Sequence, residues 1–420
     1  MALVKITIRA ESPLSLGTTK GYGGTLIETG HYVVGGQLRG ALGAIRSFAS
    51  EAEKKELDLL LGTCEQAGLK FPNCYLTDDA PSFPLPLTAM TCKKKSGLIE
   101  EKKKRKDNHG TADTLLMQLA YDQVARDRAT GRWRIPLPFQ YKCPQCGHRT
   151  EAYTRIVEYH GPKNYTEVHP SSHRQTRVAI NRARQTAEEG QLYSVQAIDE
   201  GSQFIGLMSL DEKRDELARK WLQQIARIGG RTSRGFGRVK VTVNDSGAHD
   251  ELRDRLERFN RKYSEFEADL REIADDPPPP EGRMLFTINL RSDAILRDGD
   301  GLPTLKFDEA RLQESLAGLL SAEERQMLAA IRFKLRAQFT LPQHVSGWQT
   351  AWQLPKEVLL AAQMGGLYVF AADTAGEQSK QDDLIRGLEA MESAGIGEFR
   401  EDGYGQVAVC DPFHLEVEPI

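Results

Sequence analysis

GGRTSRGFGRVKV, residues 229–241, returns in altered form as AGIGEFREDGYGQVAV at residues 394–409. Each copy follows a stretch with helical apolar spacing, residues 211–228 and 379–393, and each runs into residues that predict a strand. Helices commonly stop at glycine, so both copies read as helix, glycine-rich loop, strand. An opening strand heads each half: residues 3–9, where Val4, Ile6 and Ile8 alternate with Lys5, Thr7 and Arg9, and residues 284–290. DDPPPPEG, residues 275–282, separates the halves, and its four consecutive prolines make a stiff spacer. The two loops are thus a distant internal repeat. Alternation of strand and helix in each half favours α/β-type sandwiches, one sheet with helices on one face.

Outward from the first loop, GGQLRGALGAIRSF (35–48) places Leu38, Leu42, Ile45 and Phe48 at helical spacing, and its first-turn N–H groups suit a phosphate. Residues 53–62 form a second helical piece. KKKSGLIEEKKKRK (93–106) has eight Lys/Arg against two Glu, and a helix is expected over 111–127 before CPQCGH at 143–148. QLYSVQAID and SQFIGLMSL are expected to pair as a hairpin through the turn Asp199-Glu200-Gly201. A charged helix spans about 250–273. In the second half, a helix at 309–320 and strands at 333–341 and 367–371 precede the repeat.

The composition excludes several classes. The 420 residues are 40% hydrophobic and 27% charged, enough apolar surface for two or three cores. Fifty-six basic against fifty-nine acidic side chains give a net charge of −3, so a uniformly basic, histone-like binder is excluded but a local basic face is not. No apolar run approaches the roughly 18 residues of a membrane span, and the first residues read as a strand with no signal-peptide core. Six cysteines, four outside any tight pair, point to a reducing compartment. A soluble cytoplasmic protein is expected.

Three signals carry chemistry. From Leu217 to Asn244 there are seven Lys/Arg and no Asp or Glu, around glycines whose N–H groups can line an anion. The second loop carries Arg400 but also Glu398, Glu401 and Asp402, a poorer phosphate site. HPSSHRQTRVAINRAR (169–184) sets Arg174, Arg177, Arg182 and Arg184 among small and apolar residues without an acid, which suits a basic β-finger against a nucleic-acid backbone. Cys143 and Cys146 are one half of a zinc knuckle. Cys92 and His109 are well placed to complete it, with Cys64, Cys74 and His148 as competitors. Nothing resembles HExxH or a serine elbow. His31 and His173 are candidate acid–base groups, with no orienting carboxylate evident beside either.

YVVGGQLRGALGAIRSF resembles the strand-to-helix segment of the RAMP superfamily of CRISPR proteins, and the two glycine loops resemble those that close its ferredoxin-like domains. PLPLTAMTCKKK, HGTADTLL, CPQCG, TRVAINRARQTAEEGQLYSVQAI and GIGEFREDGYGQVAVCDPFHL, in that order, are similar to the type III-D effector subunit, the Csx-ten family. The resemblance implies an α+β chain of two ferredoxin-like (RRM-related) domains: 1–275, with a zinc-binding insertion at about 90–150 and a β-finger at about 160–200; a linker at 276–282; and 283–420. It implies a non-catalytic subunit of an antiviral effector that grips the 5′ repeat-derived tag of the guide RNA and contacts the large polymerase-like subunit and backbone RAMP subunits. Tag contacts would fall on Gly36, Gln37 and Arg39, on Gly230, Arg231, Ser233, Arg234 and Gly235, and on the Arg174–Arg184 finger. Structural Zn²⁺ would sit on Cys92, His109, Cys143 and Cys146, and losing Cys143 would unfold 90–150 while sparing both sheets. The acidic second loop departs from the pattern and suits domain packing or a protein neighbour. Two other readings remain: a metal-independent endoribonuclease that processes precursor guide RNA, and a zinc-stabilised interaction scaffold.

Overall fold

The computed structural model describes residues 2–17, 26–63, 66–98, 108–126, 130–136, 139–181, 183–247, 251–276, 283–349 and 354–417. Strand Ala2–Ala10 lies inside a five-stranded antiparallel sheet, between Val239–Asp245 and Gln203–Leu210; Cys74–Thr77 and Tyr32–Val33 follow on the far side. Ile6 stands opposite Gly206 on one neighbour and Val243 on the other. The alternation of the strand buries Val4, Ile6 and Ile8 completely. Helices Gly35–Arg46, Glu51–Leu61 and Glu212–Leu222 contribute Leu38, Leu42, Leu57, Leu60, Trp221 and Leu222 to the same core. Each such side chain adds about 1.5–3 kcal/mol by leaving water.

The second half repeats the plan. Its sheet runs Arg332–Phe339, Leu367–Asp373, Arg283–Leu290, Val407–Val409, with helices Glu309–Ala317 and Gln378–Ala394 in the connections. Counting only the four principal strands of each half, both sheets have the order 4-1-3-2 of a ferredoxin-like unit.

The repeat extends to single hydrogen bonds. Gly237 N–H donates to Pro13 O and Gly230 N–H to Ser15 O, each at 2.9 Å, seating the first loop where the first strand exits its sheet. Gly405 N–H to Asp293 O (2.8 Å) and Glu398 N–H to Ile295 O (2.9 Å) seat the second loop identically. Four matched positions have positive φ: 83°, 60°, 90° and 87° at Gly229, Arg231, Gly235 and Gly237, against 74°, 54°, 92° and 69° at Gly397, Phe399, Gly403 and Gly405. Glycine at three of the four removes the left-handed penalty, and the loops keep one path despite different side chains.

Four expectations need correction. Residues 186–198 do not pair with 203–210. They pair with Ser172–Asn181, while Gln203–Leu210 is needed beside the buried opening strand. The helix expected over 211–228 ends at Leu222, because Ala226 and Ile228 bond across to Val239 and Gly237 and so support the loop. Thr111–Asp113 is a strand, and the helix after it is Leu115–Val124. The fourth concerns helix Leu252–Ala274, expected in the first domain: it buries Leu252, Leu256 and Phe259 in the second core, together with Leu115, Leu116 and Leu119. Arg255 fixes it there through Glu392 (2.8 Å) and Val409 O (2.8 Å). Most of the proline spacer lies outside the described residues.

Candidate metal centre and basic surface

Strand Ala89–Cys92 is flanked by Thr111–Asp113 and Thr150–Ala152 in a small sheet, so Cys92 ends the central strand beside the 143–148 turn. That turn closes through Gly147 N–H to Cys143 O (2.7 Å) and Cys143 N–H to His148 O (3.0 Å). Cys92 and Cys146 sulfurs stand 3.6 Å apart, and His109 Nδ1 is 3.2 Å from Cys143 Sγ. All four ligand atoms lie within 4.8 Å of one another, a group that can hold a metal ion. Burial raises the Cys92 thiol, but N–H groups of Lys95 and Lys94 and the neighbouring thiols bring it net below its usual range. Backbone N–H groups aimed at sulfur are how knuckle turns hold thiolates. Three sulfurs and one imidazole nitrogen match a closed tetrahedral site for a borderline-soft ion. The competitors are elsewhere: Cys74 is buried in the first core with its thiol pushed up by desolvation, His148 is exposed with Nδ1 against Cys146 O, and Cys64 lies outside the described residues.

The basic residues come from two elements, a hairpin and the first glycine loop. Hairpin Ser172–Asn181/Thr186–Ile198 has opposite faces set by strand alternation. His173, Gln175 and Arg177 point toward the first glycine loop, where the Arg177 guanidinium lies 5.1 Å from the Phe236 ring centre. Arg174 is on the outer, exposed face, with Thr176, Val178 and Ile180. Arg174 and Arg177 therefore do not make one row. Arg184 is exposed at the turn, and Arg182 lies outside the described residues.

Tyr193, opposite Arg177 in the register, was not singled out by the sequence pattern. Its hydroxyl accepts from Arg234 (2.7 Å), and Arg231 lies 5.6 Å from its ring centre. Only the strand register brings these side chains together; an aromatic in an arginine-rich hairpin was the available signal. Gly230, Ser233, Arg234 and Gly235 are exposed and Arg231 is half-buried. The arrangement offers loop N–H groups, guanidinium groups and an aromatic ring, the components that hold phosphates and stack bases.

His173 has the orienting carboxylate that the sequence did not reveal. Asp199 meets its Nδ1 and also accepts from the Ser171 hydroxyl. Gln175 occupies its Nε2 at 2.8 Å and links onward to Arg177 (2.9 Å).

Gly36, Gln37 and Arg39 are not an open phosphate site. Gln37 folds back to accept from Val34 N–H (3.3 Å), capping its own helix. The second glycine loop packs over the first turn: Asp402 bonds Arg39 (3.0 Å) and Lys356 (3.2 Å), and its side chain lies against Gly36. The protein's own carboxylate stands where an external anion was expected. A Cβ on Gly403 would fall 2.5 Å from Asn73 Oδ1 and 3.0 Å from Gly35 Cα, at φ +92°. Gly403→Ala is therefore expected to destabilise the fold by about 2–5 kcal/mol. Gly376→Ala, at φ +73° with nothing within 4 Å, should carry only the smaller backbone penalty. Thermal melts of the two variants check the difference.

Residues 72–240 match the family model of the RAMP superfamily. The four candidate metal ligands, the hairpin and the first glycine loop all lie within that matched segment. No curated protein matches the chain. Solved structures resemble it remotely. A chain of the type III-B Cmr-beta complex bound to cognate target RNA has a TM-score of 0.39 and 12% identity, covering 96% of each chain. A Cas6 product complex gives 0.30 and 14%, covering 50% of this chain and 80% of that one. At these scores the likenesses support no functional reading. Among the described residues no helix is long and apolar enough to cross a membrane.

Proposed function

We propose that this protein is a non-catalytic RNA-binding subunit of a type III CRISPR effector, most like the type III-D subunit, that grips the 5′ repeat-derived tag of the guide RNA in the cytoplasm. The observation that carries the reading is the junction of Arg177, Tyr193, Arg231 and Arg234, where a hairpin and a glycine loop of RAMP-superfamily sequence lock into one surface. Single-stranded RNA suits it, since phosphates can lie along the loop while an unstacked base meets the ring. The exposed apolar end of the hairpin, Val178, Ile180 and Leu192, suits the splaying of a base at the tag–guide junction. The large polymerase-like subunit and backbone RAMP subunits are the partners proposed.

Zn²⁺ is the metal proposed for Cys92, His109, Cys143 and Cys146. When bound it supplies cross-linking of the small sheet, with no open position for chemistry. The chain's own part is to present three thiolates and the His109 Nδ1 lone pair from a strand, a loop and a turn.

His173 beside Asp199 favours one second reading, a metal-independent endoribonuclease. Cleavage needs both a base for the 2′-OH and an acid for the leaving oxygen, and the glycine loop offers only Arg, Ser and Thr. With its proton on Nδ1, His173 already spends Nε2 on Gln175. Incubating the chain with repeat RNA separates the readings: saturable binding without a product is expected. A discrete cut that disappears in His173→Ala would establish the enzyme, and absence of binding would leave the scaffold.

A further inference from the structure

The internal repeat places a second hairpin where the first one stands. Ala294 and Ala362 exchange 2.8 Å hydrogen bonds at its root, as Leu14 and Ile198 exchange 2.9 Å bonds at the root of the first. In both halves the first of these residues is four past the end of the opening strand, and the second is five before the third strand. Pro342–Val345 pairs with Leu359–Ala362, and Trp348–Gln349 with Leu354–Pro355. A side-chain tether to the glycine loop recurs as well: Lys356 on Asp402 corresponds to Tyr193 on Arg234.

The outer part of this hairpin is apolar and aromatic. Trp348 is 51% exposed, Leu354 56% and Val358 62%, matching the exposed apolar end of the first hairpin. Phe399, 48% exposed, takes the left-handed loop position that Arg231 holds in the first half. Between Glu324 and Glu357 the chain has five Lys/Arg and two of its four tryptophans but no acidic residue. A stretch with cations and no carboxylates suits a polyanion, which it attracts without local repulsion.

We infer that residues 342–349 and 354–362 form a second RNA-contacting hairpin, with the Trp348 ring stacking on an unpaired base of single-stranded RNA. The inference rests on the RNA-binding reading of the first hairpin. Stacking tolerates any base and needs no ion pair, so this contact adds affinity without adding to the salt dependence. The two hairpins would grip one strand at two places, each beside its own glycine loop.

The test is fluorescence anisotropy of the full chain with repeat RNA extended stepwise by guide nucleotides. Trp348→Ala should weaken binding about tenfold once the RNA is long enough, with an unchanged salt slope, and Trp348→Phe should recover most of it. Trp348→Gln, polar at a half-exposed position, gives the same reading if the alanine variant melts early. Affinity within twofold of wild type in Ala and Gln variants, while Arg231→Ala/Arg234→Ala loses binding, overturns the second hairpin and leaves the first intact. Unchanged RNA affinity with lost capture of effector subunits assigns the hairpin to protein instead. No RNA binding by the unaltered chain overturns both readings.

Discussion

Cys143→Ala/Cys146→Ala is expected to bind no metal and to lose the fold of residues 89–152, the largest effect of any double substitution in this chain. Structural zinc in small domains contributes roughly 10–16 kcal/mol of apparent binding free energy that is also folding free energy. The strands of the small sheet are only three or four residues long, and the 143–148 turn beside Cys92 is mostly exposed. Damage should pass further than the sequence alone implied. Helix Leu115–Val124, inside this segment, packs in the second-half core. Just before it, Asp113 accepts from Thr88 (2.6 Å) and lies 2.7 Å from the buried His414 ring. The second half should therefore melt earlier too, while the first-half sheet survives. Elemental analysis with calorimetry checks this: one Zn²⁺ per chain in wild type, none in the variant, and a lowered second-half transition. Full metal retention in the variant would remove the site.

Arg231→Ala/Arg234→Ala is expected to weaken RNA binding by about tenfold or more and to flatten its salt dependence. Each phosphate neutralised on a single strand contributes about −0.7 to the slope of log K against log salt, so two lost contacts should reduce it by about 1.4. The loss should be similar across RNA sequences, as phosphate contacts carry little base information. Arg400→Ala is the control. Its loop is the structural counterpart of 229–237 but packs against the first helix through Asp402 and Gly403. An unchanged slope in the double variant, with the loss appearing in Arg400→Ala, would put the RNA on the other loop.

Much of this was legible because glycine and alternation are local signals. The repeat at 229–241 and 394–409 located both closing loops, and positive φ at matched positions is what their glycines are for. The opening strands and the second-half helices Glu309–Ala317 and Gln378–Ala394 were equally readable from their apolar period, whereas the short helices Ala322–Leu328 and Pro412–Glu416 were not. The CxxC turn was legible as half of a metal site, the family resemblance supplied Cys92 and His109 over their competitors, and the fold gathers all four into a group that can hold a metal ion. What failed was non-local. No pattern in residues 252–274 says which core the helix joins, since its apolar stripe fits either; Arg255 against Glu392 and Val409 decides it. Strand 186–198 suits either neighbour by composition, and the requirement of Ala2–Ala10 for a buried partner settles the choice. Arg39 looked available to a phosphate because Asp402 is 363 residues away in sequence. Tyr193 and Asp199 were invisible for the same reason: each gains its meaning from a cross-chain neighbour.

Photo-cross-linking of the full chain to 5-iodouridine-substituted repeat RNA, with the joined peptides mapped by mass spectrometry, tests the central claim most directly. Cross-links are expected within residues 172–198 and 229–239, Tyr193 among them, and are expected to disappear in Arg231→Ala/Arg234→Ala. Cross-links confined to residues 35–46 and 395–405, or none above an unrelated RNA of equal length, would contradict it.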